Sequence, residues 1–145
     1  MLVVGCARVP VPARLAGLAR GSVLQGERAA RLVGDLHGSD VAPESSTVAD
    51  YGRGPQLRLY LSSFSDGAEA NRVFAAMLAR IGSGDTPFTP PRELRETPGH
   101  WFTVGPGGHH ALWTAGSSVY WLTGDPARMQ QAVAELPSPS SGVWT

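Results

Sequence analysis

The chain has 145 residues and 15.3 kDa, a size that suits a single domain. Twelve basic residues balance twelve acidic ones at a pI near 6.9, which excludes the basic excess or stripe of an electrostatic nucleic-acid binder. One cysteine excludes an internal disulfide framework and any multi-cysteine zinc site, and no apolar run approaches the ~20 residues of a membrane-spanning helix.

The chain opens Met1-Leu2-Val3-Val4-Gly5-Cys6 and runs on through Ala7-Arg8-Val9-Pro10-Val11-Pro12-Ala13. Val3-Val4-Gly5-Cys6 resembles a bacterial lipobox, with an aliphatic residue three before the cysteine, a second aliphatic residue, then glycine. The resemblance implies cleavage before Cys6 and a diacylglyceryl group on its thiol, because a small residue fits the peptidase and the thiol accepts the lipid. Stable anchoring takes more than one acyl chain, since each buried methylene contributes only ~0.8 kcal/mol. The apolar run ahead of Cys6 has five residues and no basic residue before it, short of the ~7–15 of a signal-peptide core. Residues 1–21 are therefore expected to be a truncated signal remnant, the lipidation site and a tether. Residues 22–137 are expected to form the domain, and 138–145 a Pro/Ser-rich flexible tail. The alternative for Cys6 is a buried small hydrophobe in a short N-terminal strand.

Ser22 with Gln25 three residues on forms a capping-box pair that predicts the first helix. Its apolar face would be Ala29, Leu32, Val33 and Leu36, with Gly38 at the stop. Thr47 to Tyr51 and Gln56 to Phe64 read as strands around the turn Gly52-Arg53-Gly54-Pro55. Leu57, Leu59 and Leu61 alternate with Arg58 and Tyr60, giving one core face and one partly wet face. Asp66 with Glu69 opens a second helix, with Ala70, Val73, Phe74, Met77, Leu78 and Ile81 at helical spacing. Gly84 to Pro91 carries three prolines in five residues and is a loop. His100 to Val104, His110 to Ala115 and Ser118 to Thr123 read as a three-stranded meander. Asp125-Pro126 starts a third helix carrying Met129, Ala132, Val133 and Leu136.

Strands and helices mix without strict β-α-β alternation, which predicts an α+β fold with a mainly antiparallel sheet of about five strands. A strand pair followed by a capped helix occurs twice, over Thr47–Ile81 and His110–Leu136, suggesting a pseudo-twofold ββα repeat as in ferredoxin-like folds. Leu59, Leu61, Phe74, Met77, Val133 and Leu136 are expected to share one core, with helices on one face.

Chemistry-bearing residues are few. His37, His100 and His110, with Asp40, are the candidate metal ligands, because imidazole suits zinc, copper or haem iron. The spacing of a metal site is absent, so His37 is expected to cap its helix, where a basic group meets exposed carbonyls. His100 and His110 are expected to face solvent separately. Phe102, Trp113 and Trp121 read as core, whereas Trp101 and Tyr120 are the candidate exposed aromatic binding patch. Gly105-Pro106-Gly107-Gly108 leads into a strand and lacks the Gly-Lys-Ser/Thr ending, so it is no phosphate loop. Ser62 and Ser63 near Asp66 lack a Gly-x-Ser-x-Gly elbow, and no carboxylate pair has acid/base spacing.

These features together predict a lipid-anchored, non-enzymatic module of the bacterial cell envelope, facing the periplasm or exterior. It would have no cofactor, and it would contact the membrane through its lipid and an envelope protein or small ligand, without nucleic acid. The alternative is a periplasmic metal- or haem-binding protein.

Overall fold

The computed structural model describes residues 11–37, 43–54 and 56–139. Eleven elements follow in order: β1 (Arg14–Leu15), β2 (Leu18–Gln25), α1 (Gly26–His37), β3 (Ser45–Tyr51), β4 (Leu57–Ser63), α2 (Gly67–Gly82), β5 (Arg92–Glu93), β6 (Trp101–Gly105), β7 (Gly108–Ala115), β8 (Ser118–Gly124) and α3 (Pro126–Glu135). The fold is α+β, with three helices and an antiparallel sheet. That sheet has eight strands in the order β1-β2-β3-β4-β8-β7-β6-β5, where about five were expected.

The additional strands lie where turn or cap chemistry dominates the sequence pattern. Residues Leu18–Gln25 pair with β3, and the ladder slips between Arg20 and Val23, so Gly21 and Ser22 form a bulge. Ser22 Oγ accordingly donates to Asp50 Oδ2 at 3.1 Å instead of capping a helix, which begins only at Gly26. The segment expected to be a tether is therefore largely sheet from Arg14 onward. Val11 is buried, Tyr51 Oη donates to the Pro12 carbonyl at 2.8 Å, and burial of that phenol pushes its pKa up to about 12. The β1–β2 turn places Ala16 at φ 51 and Gly17 at φ 76, both in the left-handed region. Both backbone groups of Ala16 are held by α3: its N–H donates to Glu135 Oε1, and its carbonyl accepts from Arg128 Nη1, each at 2.9 Å. The second helix begins as read, with Asp66 Oδ1 accepting from the Glu69 N–H at 2.8 Å. Asp125 is the N-cap residue of α3 ahead of Pro126, although its side chain makes no capping bond.

Register assigns the side chains to two faces. Val48, Tyr60, Trp121, Leu112 and Trp101 form one row across β3-β4-β8-β7-β6. That face packs against α1 through Ala29 and Val33, and against α2 through Val73, Phe74, Met77 and Ile81. Ala49, Leu59, Leu122, Ala111 and Phe102 form a row on the other face, which packs against α3 and the β1–β2 hairpin. The sheet is thus sandwiched, and the expected single core is two cores: Leu59, Leu61, Val133 and Leu136 in one, Phe74 and Met77 in the other. The ββα pattern does recur as β3-β4-α2 and β7-β8-α3. A twofold axis relating antiparallel neighbours β4 and β8 must stand perpendicular to the sheet and would keep both helices on one face. With α2 and α3 on opposite faces, the repeat has no such symmetry, and the layering is not that of a ferredoxin-like fold.

Candidate functional site

Among the described residues, the positions singled out by sequence do not form one site. Cys6 and Asp40 lie outside the described residues, as does the side chain of His37. Trp101 is half-buried on the α2 face, whereas Tyr120 is buried on the α3 face, its ring stacked on Trp113 at 5.2 Å and 7°. Tyr120 is a core residue because α3 covers the centre of the sheet on that side, so the two aromatics make no shared patch.

His100 and His110 are buried, at 7% and 3% exposure, and do not face solvent as expected. His110 points to the α2 face, where Nδ1 accepts from Trp121 Nε1 at 2.8 Å and Nε2 donates to the Pro106 carbonyl at 2.7 Å. Because Nδ1 accepts, the proton belongs on Nε2 and the ring is neutral. The Phe88 ring meets His110 edge-on at 5.1 Å and Trp121 at 5.5 Å, closing the cluster. His100 lies on the α3 face against Trp113, with ring centroids 4.9 Å apart, and neither of its ring nitrogens has a hydrogen-bond partner among the described residues. A zinc, copper or haem site shared by His100 and His110 would need both on one side of the sheet, and they stand on opposite sides. Among the described residues, no three His, Cys, Asp or Glu side chains gather as a metal-holding group.

Burial pushes both imidazoles below the usual histidine range. At His110 the Pro106 carbonyl opposes this and neighbouring His109 adds to it. A histidine with a depressed folded pKa favours folding above its unfolded value, about 6.5. As pH falls through that value, the unfolded chain takes up protons first and stability drops until the folded pKa is passed. Denaturant melts are therefore expected to show lower stability at about pH 5 than at about pH 7.5. His100→Leu should reduce that slope and raise stability at neutral pH by about 1 kcal/mol, because it removes buried polar atoms without partners. An unchanged slope and unchanged stability would place His100 in water.

The surface offers a different site. The 10-residue α3 packs over β8 near the centre of the sheet and buries Ala111 and Trp113 of β7, but leaves the outer strands β5 and β6 partly open. The gap is a trough with an apolar floor of Phe102, Met129 and Val133, enclosing about 320 Å³. Leu94, Glu96 and Thr97 also line it. Leu94, Phe102 and His109 also line an adjoining depression of about 540 Å³ that extends past Val104 to Arg92. Leu94 at 38% and Val104 at 44% are the exposed large hydrophobics among the described residues, and both lie along this line. Pockets that bind small molecules fall in the same size range, with apolar walls and a few polar groups.

The sequence pattern places Phe102, Met129 and Val133 in the core and gives Leu94 no role. One signal was available: Leu94 is a single apolar residue within Arg92-Glu93-Leu94-Arg95-Glu96. The free edge of β6 beside the trough is protected. The Thr89 N–H donates to the Val104 carbonyl at 2.8 Å, and Thr89 Oγ1 accepts from the Val104 N–H at 2.9 Å. No helix of the described residues is long and apolar enough to cross a membrane. The chain matches no family model, and neither the curated proteins nor the solved structures contain a match.

Proposed function

We propose that this chain is a non-enzymatic binding module of the bacterial cell envelope, anchored by a lipid on Cys6, which receives a small apolar ligand in the trough between α3 and β5–β7. The observation that carries the binding reading is the coincidence of the two exposed hydrophobics, Leu94 and Val104, with the apolar floor of Phe102, Met129 and Val133. Exposed apolar surface costs free energy in water, so a contiguous lined strip of it is a feature of binding sites. The anchor reading is supported by the lipobox-like residues Val3-Val4-Gly5-Cys6, which precede the described fold.

Each half of the proposal has its own test. Cys6→Ser is expected to move the protein from the detergent-extracted membrane fraction to the soluble fraction, with its melting temperature unchanged. Recovery of the unsubstituted protein as a soluble, unlipidated species would refute the anchor. For the trough, a neutral solvatochromic dye should bind the protein, and Leu94→Asp should weaken it by about tenfold through loss of apolar contact and gain of charge. Equal dye binding by both proteins would remove the trough as the site.

A further inference from the structure

The two adjoining depressions differ in their charged lining. Among the described residues, the titratable side chains lining the depression past Val104 are Arg92 and two histidines, of which only His109 is exposed, and His109 also lines the trough beside α3. His110 is turned to the opposite face and engaged by Trp121 and Pro106. In the trough beside α3 the one lining carboxylate among the described residues is Glu96, which is exposed, and Arg92 does not line it. The two depressions share the apolar stretch of Leu94 and Phe102, continuing onto Met129 and Val133. A compact apolar molecule would fill one depression and leave the other wet, whereas an unbranched chain spans both. A cationic head is disfavoured beside the Arg92 guanidinium, and an anionic head beside Glu96, so the polarity also fixes the orientation.

Resting on the binding function proposed above, we infer that the ligand is a free long-chain carboxylate. Its hydrocarbon lies along Leu94, Phe102, Met129 and Val133, and its carboxylate lies at Arg92 and His109. The guanidinium offers paired N–H donors matched to a carboxylate, and it stays charged at every working pH. Glu96, which lines the other depression, discourages the reversed pose.

The test compares decanoate with decanol, which shares the chain but lacks the charge, by calorimetric titration of the 145-residue protein. Decanoate is expected to bind one to one, and Arg92→Glu to weaken it by about tenfold while decanol binding is unchanged. Leu94→Asp should weaken both. Arg92 and Leu94 are exposed, so unchanged thermal melts will show that both variants keep the fold. If both ligands bind alike, respond to Leu94→Asp and ignore Arg92→Glu, the carboxylate assignment is wrong while the apolar trough stands. If neither binds, or if Leu94→Asp has no effect on either, the trough itself is refuted. Vesicles of phosphatidylglycerol form the last arm: sedimentation of the protein with them, without binding of monomeric decanoate, would identify a bilayer surface and overturn the free carboxylate.

Discussion

Gly124→Ala is expected to destabilise the protein by at least about 3 kcal/mol, the sum of backbone strain and overpacking. Gly124 ends β8 at φ 146, in register with Leu57 of β4 and His109 of β7. A methyl group there would overlap the Gln56 carbonyl oxygen and come within 3.0 Å of the Gln56 carbonyl carbon and the Leu57 Cα. These are backbone atoms, so no side-chain rotation relieves the clash. The start of β4 would have to move, yet Leu57 is fully buried and the Gln56 carbonyl accepts the Asp125 N–H that leads into α3. The substitution therefore damages the β4–β8 ladder and the seating of α3 together. Against a typical stability of about 5–15 kcal/mol, a fall in melting temperature of roughly 10 °C is expected. An unchanged melting temperature would mean that β4 does not pass over Gly124.

Phe74→Ala should cost ~3–5 kcal/mol. Phe74 is 8% exposed and belongs to the cluster that joins α2 to Leu112, Val119 and Trp121 of the sheet. Its removal leaves a cavity between a helix and the sheet, among closely packed neighbours that include Met77 and Trp121. Leu78, one turn on, is only partly buried at the margin of the same cluster, and Leu78→Ala should cost clearly less. Equal losses at the two positions in urea melts would show that α2 is rotated from this register.

The sequence determined whatever depends on neighbours within one turn or one hairpin. Asp66 with Glu69 located the start of α2 because a cap is a bond between residues three apart. The alternation of Leu57, Leu59 and Leu61 located β4, and the Gly-Pro-Gly-Gly and Gly-Ser turns located β6, β7 and β8. Even Ala111-Leu112-Trp113, apolar without interruption, carried the mark of a strand buried on both faces. Tertiary structure decided the rest. Ser22 and Gln25 satisfied a helix-cap pattern, but pairing with β3 across a bulge satisfied more backbone groups and made that segment a strand. Periodicity shows that a helix has an apolar face without saying which side of a sheet receives it, so the opposite placement of α2 and α3 was not legible. The burial of His100, His110 and Tyr120 follows from that placement, since each lies beneath elements distant in sequence or against residues such as Trp113 and Trp121. The trough has the same origin: Phe102 and Val133 read as ordinary core residues, and they line a surface site because α3 covers the middle of the sheet and stops short of its edge.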